Sequence, residues 1–156
     1  PQFFELVNYA HTRRIYVSTS TNAHYLNSEY ARKTVESGLD RLIISIDGTT
    51  QETYEQYRIG GNLQKVLDGT RELVRWKKQL KSSTPYILFQ YLVVRPNEHQ
   101  IKEVSALAKA LGVDQVAFKT AQIYNYEKGS DLIPTIERYA RYKEEKPGKW
   151  VIKNPL

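Results

Sequence analysis

Cysteine is absent from the 156 residues, and so is methionine. Without a thiolate, the chain forms no disulfide and offers its own side chains to no cysteine-held zinc ion or iron–sulfur cluster. Methionine is missing even at position 1, where Pro1 stands, so the residues are expected to begin inside a longer protein. Long apolar runs are missing as well: no stretch approaches the roughly 18 residues of a membrane span. The opening Pro1-Gln2-Phe3-Phe4-Glu5 has no basic head before an apolar segment. No signal peptide is read there, and a cytoplasmic location is expected. His11, His24 and His99 fall in different segments with no i, i+4 metal pair, and all three are read as surface residues.

What is present describes an ordinary folded domain. Hydrophobic residues make up 40% and charged residues 26%, enough of each for one core and a solvated surface. The net charge of +6 raises the question of nucleic acid. Its cations are spread along helix faces, as at Arg71, Arg75, Lys77, Lys78 and Lys81, with no arginine-rich arm and no finger motif. A solvated face is the better reading, and no nucleic-acid or membrane partner is expected.

The apolar pattern alternates between two periods. Phe3, Leu6, Val7 and Ala10 recur at helical spacing, and 15–20 is a short β-branched strand. Tyr30, Ala31, Thr34 and Val35 make a helix that stops at Gly38. Strands come next at 41–46, 86–94 and 115–120, the first two of these apolar on both faces as in a parallel sheet. Asp47-Gly48 ends the second strand in a turn, with Asp47 expected to cap the next helix, and Thr49 and Glu52 have capping-box spacing for that short helix. Gly60-Gly61 is a hinge, not a phosphate loop, before a long amphipathic helix from Asn62. Ile101, Val104, Ala108 and Leu111 line another helix, stopped by Gly112. A last helix is expected over 133–145, before Pro147-Gly148 and a basic end.

Strands separated by helices are parallel with right-handed crossovers, so the fold class is α/β. Both an open doubly wound sheet and an arc of a (β/α) barrel fit. Either one places ligands at the strands' carboxyl ends. Those ends are Ser20 to Asn22, Ser45 to Gly48, Arg95 to Asn97, and Lys119 to Gln122. Whether Gln90, Lys119 and Gln122 point inward depends on a register the pattern leaves open. No reaction can be read from the residues alone.

Several segments resemble the radical S-adenosylmethionine (SAM) superfamily, in particular its SPASM-type members such as peptide maturases and sulfatase-maturing enzymes. Ser18-Thr19-Ser20-Thr21-Asn22-Ala23 looks like the family's T-N-G element, with Ala23 in place of glycine. Leu42 to Gly48 carries S-x-D-G and is succeeded by an E-x-Y-x-x-Y-R-x-G-like run, Glu52 to Gly60. Phe89 to Glu98 is similar to the family's fifth strand and its turn, and Val116 to Gln122 to its sixth. The likeness covers nearly all of residues 1–125. The family's C-x-x-x-C-x-x-C and G-G-E-P motifs are not found. Pro1-Gln2-Phe3-Phe4 reads like the helix after G-G-E-P, and Lys153 to Leu156 like the approach to a cysteine-rich C-terminal domain.

The resemblance implies a partial (β/α)6 TIM-like barrel of about four parallel strands with outer helices. Residues 1–125 would be its central part, and 126–156 a helix and linker. It implies a parent enzyme in which a [4Fe–4S] cluster and SAM yield a 5′-deoxyadenosyl radical that acts on a small-molecule or peptide substrate. This chain alone is expected to bind neither cluster nor cofactor and to be inactive. Asn22, Ser45, Asp47 and Arg58 are the implied cofactor-binding residues: Ser45 would hold a SAM oxygen and Arg58 would pair with its carboxylate. No catalytic or metal-ligating residue is assigned. A phosphate- or small-molecule-binding α/β domain and a basic nucleic-acid or protein interaction module remain as alternatives.

Two further expectations concern a sheet that is only part of a barrel. Its first strand would expose an unpaired edge that favours self-association, or the tail with Ile133, Ile136, Tyr139 and Trp150 would cross the open side. Ile43, Phe89, Tyr91 and Phe118 are expected on that open side.

Overall fold

A computed structural model describes residues 2–153. The readings placed on Pro1 and on Asn154 to Leu156 lie outside the described residues. Four strands, β1 (Ser18–Thr21), β2 (Arg41–Ser45), β3 (Tyr86–Val93) and β4 (Gln115–Thr120), form one sheet in the order β1-β2-β3-β4. Every neighbouring pair is parallel. The connections are helical: α1 (Gln2–Thr12) leads into β1, and α2 (Ser28–Glu36) joins β1 to β2. The short α3 (Gln51–Tyr57) and the long α4 (Leu63–Gln79) join β2 to β3, and α5 (Ile101–Leu111) joins β3 to β4.

The helix starts reflect local chemistry. Asn27 accepts from the Tyr30 N–H at 2.9 Å, and Asn62 accepts from the Lys65 N–H at 3.0 Å, so each asparagine satisfies a backbone donor that its helix cannot. At α3 the cap is Thr50, whose hydroxyl accepts from the Thr53 N–H at 3.3 Å. This corrects the capping box expected at Thr49 and Glu52, and also the capping role expected of Asp47. Thr49 instead gives its N–H to Gln100 Oε1 at 2.8 Å and its hydroxyl to Glu103. Gly38 and Gly112 end their helices with left-handed φ, as the pattern predicts.

One face of the sheet carries the core. Leu42, Ile44 and Ile46 join Ile87, Phe89, Tyr91 and Val93 under Val66, Leu73, Val104 and Ala108 of the helices. Fully burying residues such as Phe89 and Tyr91 contributes roughly 1.5–3 kcal/mol each. The register decides what remains for the other face. Ile43 stands beside Leu88, Ser45 beside Gln90, Gln90 beside Ala117, and Leu92 beside Lys119. Ile43 is therefore on the open face as expected. Phe89, Tyr91 and Phe118 are not: their parity along β3 and β4 turns them under the helices.

Two further expectations are corrected. The first strand starts at Ser18 rather than Ile15. After α1 the chain turns through a left-handed Arg14, and the Ile15 N–H returns to the Ala10 carbonyl, so 15–17 serve as a connection. The helix expected over 133–145 does not form. A 3-10 turn at Glu137–Tyr139 precedes an antiparallel hairpin, β5 (Tyr142–Lys146) and β6 (Lys149–Ile152), closed at Pro147-Gly148. Tertiary contacts override the helical propensity of Lys143 to Lys146. The buried Tyr142 hydroxyl bonds both the N–H and the carbonyl of Ile123. Tyr139 packs 5.8 Å from the Phe118 ring, on its helix-covered side, so this part of the tail does not cross the open face. Among the described residues, no helix is long and apolar enough to cross a membrane.

Candidate functional site

The carboxyl ends of β2 and β3 are tied together by two buried polar residues. Asp47, just past β2, is fully buried. Its Oδ1 accepts from the Leu92 N–H at 2.8 Å, and its Oδ2 accepts from Arg58 Nε at 2.5 Å. Asn97, in the turn after β3, accepts from the Val94 N–H at 2.8 Å and donates to the carbonyls of Asp47 at 3.0 Å and Leu92 at 2.9 Å. The Tyr91 hydroxyl donates to the Asn97 carbonyl at 2.8 Å. Gly48 lets α3 sit on this junction, because a Cβ there would stand 2.4 Å from the Tyr54 nitrogen. Burial pushes the Asp47 carboxyl above the usual carboxylate range, while the Leu92 N–H and the Arg58 guanidinium pull it down.

Arg58, at the C-terminus of α3, is a third exposed. Its Nε is committed to Asp47, and its terminal nitrogens make no hydrogen bond among the described residues. It lines a cavity of about 400 Å³ between the β1–α2 loop and the α3–α4 hinge, together with Asn22, His24, Tyr54, Gly61 and Lys65. The structure therefore brings two of the proposed residues, Asn22 and Arg58, into one cavity. Asp47 stands behind Arg58, holding it. Ser45 lies apart from that cavity on the open face, beside Gln90, and its hydroxyl makes no hydrogen bond among the described residues.

Asn22 is also a turn residue. Its Oδ1 accepts from the His24 N–H at 3.2 Å. Ala23 comes next in the left-handed region at φ 59, the conformation that the family's glycine would adopt without strain. His24 is more than the surface histidine expected. Its Nε2 accepts from the Asn62 N–H at 2.9 Å, which requires the neutral Nδ1-protonated ring, and Nδ1 then donates to the Asn22 carbonyl at 3.0 Å. The ring thus ties the β1–α2 loop to the start of α4. Asn97 lies in the Arg95 to Asn97 strand end that the pattern picks out, whereas Tyr54 and His24 escaped sequence reasoning as site residues. For Tyr54 there was a signal, its place in the E-x-Y-x-x-Y-R run.

Among the described residues, no group of three or more histidine, aspartate or glutamate side chains could hold a metal ion. Lys119 and Gln90 share the open face near the carboxyl ends of β3 and β4.

No family model matches the chain. Curated relatives do. The chain is 32% identical over 114 residues to a GTP 3',8-cyclase from Peptoclostridium acidaminophilum, covering 73% of this chain and 33% of that protein. It is 31% identical over 113 residues to an AdoMet-dependent heme synthase from Methanosarcina barkeri, covering 72% of this chain and 30% of that protein. With the mycofactocin maturase MftC of Mycobacterium ulcerans it shares 29% identity over 112 residues, 72% of this chain and 29% of the relative. The matched part is thus about a third of the length of these relatives. Independent matches to several such enzymes over the same share of the chain place it with them: the chain belongs to the radical SAM superfamily.

Proposed function

We propose that these residues form the SAM-facing part of a radical SAM enzyme, with the sheet as an arc of a (β/α)6 barrel whose open face turns inward. Residues 1–125 would supply the arc and 126–156 a packed extension. The observation that carries the proposal is Arg58: a buried carboxylate grips it by one nitrogen, its other guanidinium nitrogens make no hydrogen bond among the described residues, and it lines a cavity shared with Asn22. A one-faced helix layer over a parallel sheet, with a polar open face at the strand ends, supports the barrel reading.

The residues fit the two implied groups differently. A [4Fe–4S] cluster needs thiolates, and this sequence has none. It does not fit, and the chain by itself is proposed to be inactive. SAM does fit: Arg58 would hold its carboxylate and Ser45 a polar oxygen, with Asn22 at the rim and Asp47 acting through Arg58. When bound, SAM would supply the family's 5′-deoxyadenosyl radical chemistry, acting on a small-molecule or peptide substrate.

Arg58→Lys tests the assignment, because it keeps a cation for Asp47 but removes the fork. In the full-length parent enzyme, SAM affinity measured by isothermal titration is expected to fall about tenfold, in line with a charge-assisted hydrogen bond. Unchanged affinity would return Arg58 to the role of a structural ion pair.

Self-association is proposed through the β1 side of the sheet. Among the described residues β1 pairs with β2 alone, and an apolar groove of about 360 Å³ lined by Phe3, Phe4, Leu26, Tyr30 and Leu42 lies beside it. Leu6, Tyr9, Ile15 and Tyr16 are exposed nearby in the chain. Sedimentation at micromolar concentration is expected to show dimers, and a clean monomer would refute the contact.

A further inference from the structure

Another polar cavity lies beyond the last strand of the sheet. It measures about 390 Å³ and is lined by Thr120, Glu137, Arg138, Ala140, Arg141 and Lys153. β1 and β4 are the two edges of the sheet, so this cavity at the end of β4 is separate from the one at Arg58. Three of its lining side chains are cations and one is an acid. The cations sit close together for a structural reason. Tyr142 faces Ile152 in the hairpin, and one position further out the Lys153 N–H donates to the Arg141 carbonyl at 2.9 Å. Arg141 and Lys153 are therefore cross-strand neighbours, and like charges so placed destabilise a hairpin.

The chain offsets this repulsion only in part. Lys153 Nζ donates to the Glu137 carbonyl at 2.9 Å and stands 3.7 Å from the Glu137 carboxylate, which is almost fully exposed and so contributes little. Arg138 lies over the Tyr139 ring at 5.4 Å, a contact that uses its face and not its N–H donors. Arg141 is half-buried, and among the described residues its guanidinium has no hydrogen bond or ion pair. The Thr120 hydroxyl is likewise without a partner among the described residues.

We propose that this cavity is an anion site that takes a phosphoryl group, held between Arg141 and Lys153 with Arg138 and the Thr120 hydroxyl as further donors. The donors come from three segments: the end of β4, the 3-10 turn and the hairpin. A phosphoryl group presents three acceptor oxygens in different directions, whereas the two oxygens of a carboxylate lie in one plane with its carbon. Guanidinium groups suit it because they are weakly hydrated and can offer paired N–H donors. The bound anion would cancel the Arg141–Lys153 repulsion and tie the hairpin to the sheet. The proposal does not depend on SAM.

Isothermal titration of the full-length parent enzyme with inorganic phosphate at constant ionic strength tests it, on wild type, Arg141→Gln and Lys102→Gln. Lys102 is exposed on α5 and does not line the cavity. Phosphate affinity is expected to fall about tenfold in Arg141→Gln, as for loss of a charge-assisted hydrogen bond, and to be unchanged in Lys102→Gln. Equal affinity in wild type and Arg141→Gln overturns the site, and so does an equal loss in both variants, which would mean attraction by the net charge of +6 alone. Arg141→Gln is expected to fold, because the link to Lys153 is made by the backbone. Without phosphate it should melt no lower than wild type, since a like-charge pair is gone, and phosphate should raise the melting temperature of wild type more than that of the variant. A variant that melts lower without phosphate would show Arg141 already partnered and overturns the proposal. Acetate is expected to bind at least tenfold more weakly than phosphate, and equal binding overturns the phosphoryl assignment. Methyl phosphate separates the two sources of the group: tighter binding than inorganic phosphate supports a phosphate ester as the ligand, and weaker binding supports the free ion.

Discussion

Asp47→Ala is expected to destabilise the chain by about 3 kcal/mol, the low end of what breaking a buried ion pair costs. The substitution strips acceptors from the Leu92 N–H and from Arg58 Nε at once. The low end applies because Arg58 is a third exposed and can be rehydrated, whereas the Leu92 N–H belongs to a central strand and is poorly placed to be. For a domain of this size, that is a fall in melting temperature of roughly 6–12 °C. A shift of less than about 2 °C would show that water replaces the carboxylate at no cost. The same residue sets a pH dependence. Burial, the largest influence, raises its carboxyl in the folded state. A raised carboxyl adds most to stability below its unfolded value, about 3.9, and loses that contribution as pH rises through the folded value. Asparagine does not titrate, so the stability gap between wild type and Asp47→Asn should narrow as pH rises from about 3 to about 7. A widening gap would mean that Arg58 outweighs burial.

Asn97→Ala should be nearly as damaging, at about 2–3 kcal/mol, because three side-chain hydrogen bonds end at once. Each loss leaves a buried backbone group short of a partner, at about 1 kcal/mol apiece. Asn97→Asp separates donor from acceptor. It keeps the oxygen that serves the Val94 N–H but turns a second oxygen toward the carbonyls of Asp47 and Leu92. At neutral pH it is expected to be at least as unstable as the alanine variant. Because Asn97 donates to the Asp47 backbone, the two sites should be coupled, with a double-mutant interaction of about 0.5–3 kcal/mol. Urea unfolding of the four proteins measures it. Strict additivity would mean that the ends of β2 and β3 are held independently.

The order of elements could be read from the residues because it depends on local chemistry. β-branched runs, helical stripes and the glycines at 38 and 112 punctuate the chain at spacings of a few residues. The S-x-D-G run with its trailing Arg58 was legible in the same way, and it led to the family. Three features were decided only by tertiary structure. Parity along β2, β3 and β4 turned Phe89, Tyr91 and Phe118 under the helices and gave Ser45, Gln90 and Lys119 the open face. Pairing with a neighbour strand sets that parity, and a run apolar on both faces carries no alternation to reveal it. The part of Asp47 as the grip on Arg58 depends on the Leu92 N–H, 45 residues away in the chain. The 133–145 segment has the composition of a helix, yet Tyr142 found Ile123 and the chain became a hairpin. A helix there would gain only local hydrogen bonds, whereas the hairpin also gains a buried tyrosine, and tertiary burial outweighs propensity of a few tenths of a kcal/mol per residue.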